Sequence, residues 1–369
     1  MTDVTSTTSR RAALRFLGAG TGAAAAGALL AACSSVQEGA NNNSGNKGAG
    51  RFPSTPQWKF VFVNHVTTNS FFTPTRTGFA DAAALLGIPE PAWQGSENGN
   101  VAEMASAMKT AVDNNADGIA IALTDNNAFV DLTKQALAKG IPVIAYNANA
   151  SNNYPLTYVG QDLYLSGFQM GQRIAKDVTS GDILVGISQP GGNNVQPRMD
   201  GIIAALKQAA PGVTVKSINT GAEQAAELNA LTAAYTGNQG AKGIYAVDAG
   251  STAACAKLIT DRGLTGKIHG GGFDLLQDTL NGVKSGALDF TIDQSPYLQG
   301  FLPVLYLYLY RLSGTLVAPP VTDTGLTFVT KETADGYLSA NSKFEGGNKT
   351  DVINMPKAIP LPPAQVLNR

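Results

Sequence analysis

Cysteine, histidine and tryptophan are scarce in this chain, with two of each among 369 residues. Two cysteines cannot build a disulfide framework. Two histidines, His65 and His269, leave little material for a Ser-His-Asp arrangement, and no G-x-S-x-G elbow occurs. The run "HGGGF", His269 to Phe273, looks like the oxyanion loop of some esterases but has no such nucleophile to serve. Neither histidine has a cysteine or carboxylate at a metal-ligand spacing. These gaps argue against an enzyme, a metal site or a cofactor. Charge is sparse as well, at 14% of residues and a net −1. That balance gives no electrostatic reason to expect nucleic acid or an anionic membrane as partner.

What stands at the amino terminus is an address. Arg10 and Arg11 precede Leu14, Phe16, Leu17 and a weakly apolar run to Leu30, as in an export signal over residues 1–32. Glycine and alanine make that run a poor spanning helix. Leu30-Ala31-Ala32-Cys33 is similar to a lipobox, in which the cysteine is lipidated and becomes residue one. Ordinary signal cleavage nearby is the alternative. Lipidation would leave Cys255, in the helical "STAACAKLI", without a partner, as a small buried hydrophobe. Loss of Arg10, Arg11, Arg15 and Asp3 takes the net charge from −1 to −3. "GAGTGAAAAG", Gly18 to Gly27, imitates a dinucleotide loop, but no strand precedes it and no suitably spaced acid follows. Residues 33–57, rich in Asn, Gly and Ser, read as a lipidated, flexible tether.

From Trp58 onward short β-branched runs alternate with helical periods. Strands are expected at 59–64, 118–123, 143–147, 182–188, 213–219, 243–248, 268–274 and 289–293. Between them lie amphipathic stretches such as "VAEMASAMKTAV", with Val101, Met104, Met108 and Val112 on one face. This alternation predicts an α/β fold of parallel sheets covered by helices. The length exceeds one comfortable core, so two Rossmann-like lobes are expected. "TYVGQD", Thr157 to Asp162, is a plausible crossover. In and just before "QGFLPVLYLYLYRL", Leu298, Phe301, Leu302, Leu305, Leu309 and Leu312 form a stripe. The segment is too short to span a bilayer and carries Pro303, so a kinked, largely buried helix is expected.

Ligands of open parallel sheets bind at the carboxyl ends of strands. Here those ends read "NHVTTNSFF", "TDNN", "YNANAS", "SQPGGNNVQPR", "NTGAE", "DAGST", "FDLL" and "DQSP". Amides, hydroxyls, carboxylates and one arginine suit a neutral polyhydroxylated ligand, whose hydroxyls both donate and accept. An aromatic face at Phe71 or Phe72 would pack on its C–H face.

The ordered segments "VNHVTTNSFFTPTRTGF", "IPVIAYN", "VGQD", "RMDG", "YAVDAGST", "GGFD" and "TIDQSPYLQG" resemble those of type I periplasmic sugar-binding proteins. These are the ribose-binding and LacI-like receptors that feed ABC importers. The resemblance covers residues 58–331 and implies two lobes joined by a three-stranded hinge, with sugar in the cleft. It implies a first lobe of residues 58–159 plus 295–319 and a second of 160–294 plus 320–369. Carried over, Asn69, Phe71 and Phe72 match the loop that stacks on and hydrogen-bonds the sugar. Arg198, Asp248, Phe273, Asp274 and Gln294 match contacts of the second lobe, and Asn147 and His65 join the candidate set. Ribose receptors have an Asp-Arg pair where this chain has Asn147-Ala148, and an amide where it has Ala122. Ribose itself is therefore disfavoured, and a four- to six-carbon sugar or sugar alcohol, with a lean to a short polyol, is expected. The implied partners are an ABC permease with its ATPase, the membrane is touched only through the lipid, and the protein is a monomer. The alternative is a receptor that presents its sugar to a membrane sensor. A repressor of the same fold would need a helix-turn-helix where the export signal stands. Asp125 and Glu223 read equally as helix caps, and Trp58 and Trp93 as packing.

Overall fold

Runs such as Gly118–Ile121 and Val143–Tyr146, buried at every position, form strands that need cover on both faces. A computed structural model describes residues 55–338; the export signal, Cys33, most of the tether and the carboxyl tail lie outside the described residues. The first part alternates β1 (Phe60–Asn64), α1 (Thr73–Leu86), β2 (Ala92–Gly95), α2 (Val101–Asp113), β3 (Gly118–Ile121), α3 (Val130–Ala138), β4 (Val143–Tyr146) and β5 (Tyr158–Gly160). The middle continues with α4 (Leu163–Asp177), β6 (Ser180–Ile187), α5 (Gln196–Ala209), β7 (Gly212–Asn219), α6 (Gln224–Thr236) and β8 (Gly243–Ala246). Then come α7 (Ala249–Asp261), β9 (His269–Phe273), α8 (Gln277–Ser285) and β10 (Phe290–Asp293). The last elements are α9 (Pro296–Ser313), β11 (Val321–Asp323), β12 (Thr327–Val329) and α10 (Ala334–Leu338).

Two six-stranded sheets result, in the orders β11-β5-β4-β3-β1-β2 and β12-β10-β9-β8-β6-β7. All pairings are parallel except β12 against β10. These are the expected two α/β lobes. The chain passes between the sheets three times, after β5, after β10 and between β11 and β12. Local chemistry starts the helices: Asn100 Oδ1 accepts from Ala102 and Glu103 N–H, and Asp162 Oδ1 accepts from Leu165 N–H.

The structure departs from the sequence reading in three places. β2, β5, β11 and β12 are not among the expected strands: β5, β11 and β12 are only three residues long, and β2 is a part-exposed edge strand, Ala-Trp-Gln-Gly, with no β-branched residue. The handover to the second lobe at residue 320 is early, because β11 still pairs with β5 in the first sheet. Finally, α9 buries a different face. Gly300, Pro303, Val304, Leu307 and Tyr308 point inward, whereas Leu298 and Leu312 are 37% and 44% exposed and the rest of the expected stripe is half-buried. Small residues decide this. A Cβ on Gly300 would lie 1.9 Å from the Thr75 carbonyl oxygen, and one on Gly78 2.1 Å from that of Tyr297. α1 and α9 thus meet backbone to backbone, which a face of leucines prevents. Among the described residues no helix is long and apolar enough to cross a membrane.

Candidate functional site

The first lobe builds its wall by turning the chain sharply after β1. Asn64 Oδ1 accepts from Val66 N–H and its amide donates to the Tyr146 hydroxyl, both at 2.8 Å, so His65 is carried into the space between the lobes. Asn69 Oδ1 then accepts from Phe71 N–H at 2.9 Å and caps a single 3-10 turn, Ser70–Phe72. Phe71 and Phe72 meet edge-on at 4.6 Å, and Phe72 rests on Trp93 and His65. Burial lowers the His65 imidazole to about 4, so the ring is neutral at physiological pH. Past β4, Asn147 takes a left-handed conformation (φ 61°) and donates to Gln299 Oε1 at 3.1 Å.

The second lobe supplies the charges. Arg198, in the first turn of α5, is buried against the ring of Phe273, its guanidinium carbon 4.0 Å from the centroid. Its two terminal nitrogens donate to the Val247 carbonyl and to Gln161 Oε1, each at 3.0 Å. Asp274 follows β9 with φ 75°, and its Oδ1 accepts from Gln294 Nε2 at 2.6 Å. Burial pushes its carboxyl up to about 6, against the opposing pull of Arg198 and Gln294. Asp248 caps α7 through Ser251 N–H and also accepts from Ser188 N–H, each at 2.9 Å, yet burial still raises its pKa.

Between these walls lies a cavity of about 60 Å³ open to the centre of a water molecule. By that measure it has room for roughly four to six waters, the bulk of a monosaccharide but not of a disaccharide. Three buried polar atoms of its lining residues, His65 Nδ1, Asn194 Oδ1 and Arg198 Nε, have no hydrogen-bond partner among the described residues. The lobes are drawn together beside the cavity. Asn193 N–H donates to the Thr124 carbonyl at 2.9 Å, its side chain reaches Leu123 O and Asn126 Oδ1, and Asn194 Nδ2 lies 3.3 Å from His65 Nε2.

Of the ten residues singled out in the sequence, nine line this one cavity. Phe273 does not: its ring belongs to the second-lobe core and serves as the platform beneath Arg198. Asp125 caps the turn before α3 by accepting from Asn127 and Ala128 N–H, and Glu223 stands at the outer mouth. Trp58 packs edge-on against Tyr308, and Trp93 sits in the aromatic cluster under Phe72. "HGGGF" is strand β9 rather than a loop, and His269 at its start faces Asp289, away from the mouth. Sequence reasoning missed Glu227, Ser188 and Asn194 as wall residues. Asn194 lay within a quoted strand-end segment, but Glu227 sits inside a helical period and gave no signal.

A profile of the periplasmic binding protein domain matches residues 60–314. The chain is 42% identical over 315 residues to the xylose/arabinose-binding protein XylF of Sulfolobus acidocaldarius, covering 81% of this chain and 77% of that protein. Among solved structures it is similar to GanP, a glucose-galactose binding protein of Geobacillus stearothermophilus, with TM-score 0.70 and 22% identity over 75% of this chain and 99% of that one. It is also similar to an ABC-transporter solute-binding protein of Burkholderia graminis in complex with D-arabinose, with TM-score 0.71 and 24% identity over 76% of this chain and 98% of that one. At these identities the structural likenesses speak to the fold.

Proposed function

The chain belongs to the periplasmic binding protein family, and on that premise we propose that it captures a neutral monosaccharide, an aldopentose of the xylose and arabinose class, for an ABC permease. It is a sugar-binding protein and not an enzyme. The observation that carries this reading is the cavity between the lobes, sized for one sugar ring, with Arg198, Asp248 and Asp274 on one wall and Asn69, Phe71 and Phe72 on the other. The 42% identical relative named for xylose and arabinose supports the same class. A pentose in the cavity would donate its hydroxyls to Asp248 and Asp274 and accept from Arg198. Phe71 or Phe72 would cover its C–H face. Because the groups come from both lobes, the ligand bridges them and favours the closed state by as much as it binds that state better. The same reading has the protein exported and held at the membrane's outer face through a lipid on Cys33. Mass spectrometry of the mature amino terminus tests that anchor, with a diacylated Cys33 expected and an unmodified terminus counting against it.

A thermal-shift screen followed by calorimetry tests the ligand. D-xylose and L-arabinose are expected to bind, with D-ribose, hexoses and C4–C6 polyols weaker. Saturation by a polyol with no response to any aldopentose would overturn the pentose assignment.

A further inference from the structure

Glu227, in the first turn of α6, puts a second carboxyl on the cavity wall beside Asp248. It is 3% exposed, and the space it fills exists because residue 250 is glycine, where a Cβ would lie 2.1 Å from Glu227 Oε2. The two carboxyls meet at one residue, Ser251, whose N–H donates to Asp248 Oδ1 at 2.9 Å and whose hydroxyl donates to Glu227 Oε1 at 3.5 Å. Two bare carboxylates at that range repel, so a single proton stays with the pair. The backbone decides who holds it. Asp248 accepts two N–H bonds, which favour its anion, whereas among the described residues Glu227 receives the Ser251 hydroxyl alone, at 3.5 Å. Glu227 is therefore the acid and Asp248 the carboxylate. Burial first, and the neighbouring Asp248 charge next, raise the Glu227 carboxyl from the ordinary range to about 8.

Other ionisable groups stand on the elements packed around the pair. Glu223, flanking the same helix, raises Glu227 slightly further. Arg198 and Asp274 line the same cavity, and Cys255 of α7 has its thiol raised well above its usual value. His65 across the cleft is neutral above pH 5, and Asp274 is ionised above pH 7. Glu97 stands at the outer mouth. Lys257 and Asp278 border the face of α6 that carries Gln224 and Leu228.

We propose that the Glu227–Asp248 pair is a ligand-binding unit with one proton, and that the sugar binds it only in this singly ionised form, a sugar hydroxyl donating to the pair. A bound sugar strips the remaining water from the pair and makes a second charge there costlier, so ligand and proton hold each other in place. The proposal rests on the monosaccharide reading above.

Calorimetric titration of the protein with D-xylose and L-arabinose between pH 6.5 and 9 tests it. Affinity is expected to be steady to pH 7 and to fall about tenfold by pH 9. Buffers of different ionisation enthalpy should show close to one proton taken up per sugar at pH 9. Glu227→Gln has no proton to lose at this position, so whatever its affinity at pH 7, that affinity should show no fall to pH 9. A parent affinity that is flat across this range, or a Glu227→Gln variant that keeps the parent's pH dependence, would overturn the proposal. Should the variant not fold, the proton count on the parent decides alone: none taken up means no linkage. No binding of either pentose at pH 6.5 would overturn the sugar reading, and this one with it.

Discussion

Arg198 is the residue on which the second-lobe wall turns, because it is the one cation among the cavity's lining residues and faces Asp274 and Asp248. Burial disfavours its charge and the two carboxylates sustain it. Arg198→Ala should weaken pentose binding by about 2–4 kcal/mol in calorimetry, since it leaves buried acids without a counter-charge. An affinity within threefold of the parent would remove Arg198 from the site. Asp274 and Asn147 show a second feature of the residue scale. Both are non-glycine residues in the left-handed region, at the carboxyl ends of strands. Asp and Asn tolerate that conformation and β-branched residues do not. Asp274→Asn should therefore stay within about 1 kcal/mol of the parent in urea unfolding while losing sugar affinity. Asp274→Val should cost a further roughly 1–3 kcal/mol of stability. The acid at position 274 was legible as a strand-end residue, but its backbone strain was not, because φ is set by pairing with β10 rather than by neighbours in sequence.

At the scale of elements, α9 shows how an almost wholly apolar helix hides its orientation. Leucine, tyrosine and phenylalanine surround it, so periodicity offers more than one stripe, and the close approach to α1 chooses among them. Two contrasts follow. Gly300→Val should destabilise the fold by at least about 2 kcal/mol, because its side chain meets the Thr75 carbonyl and neither helix backbone can yield. Leu307→Ala, on the buried face, should cost roughly 2–5 kcal/mol, whereas Leu312→Lys, on the exposed face, should lie within about 0.5 kcal/mol of the parent. Chemical denaturation measures all three, and equal losses at positions 307 and 312 would contradict the observed face. The short strands β5, β11 and β12 belong to this scale as well. They exist through their partners and through hydrogen bonds such as Gln161 Nε2 to Gly325 O at 3.1 Å across the crossovers.

At the scale of the whole molecule, the lobes are held together by Asn193, which does not line the cavity. Asn193→Ala should loosen the unliganded protein, raising its radius of gyration in small-angle scattering. It should also weaken sugar affinity by about 1–2 kcal/mol while every side chain of the cavity wall stays in place. Unchanged scattering would mean that the clasp does not hold the closed state. Stability should carry the mark of Glu227. Its folded pKa lies above its unfolded value, so the folded state binds more protons than the unfolded state between the two. The stabilisation is complete below the unfolded pKa and is lost as pH rises toward about 8. His65 works in the opposite sense, because the unfolded imidazole takes a proton that the buried one refuses; that contribution is about 0.4 kcal/mol at pH 6.5 and fades by pH 8. From pH 6.5 to 8 the unliganded protein should thus lose about 1.5 kcal/mol, and Glu227→Gln should show no such slope.

The amino-acid sequence by itself determined the alternation of strand and helix, and with it two lobes and polar strand ends. It also marked nine residues of the cavity wall. The alternation and the polar strand ends come from hydrophobic period and from residue types at chain positions, which need no partner to be read, whereas the wall residues were marked chiefly by the resemblance to type I periplasmic sugar-binding proteins. Only the tertiary structure decided which face α9 buries, that Phe273 supports Arg198 from below, and that Glu227 reaches the cavity beside Asp248. Each of these depends on how closely two distant backbones approach, at Gly300 against Thr75 or at Gly250 against Glu227, and that distance is set by packing in three dimensions.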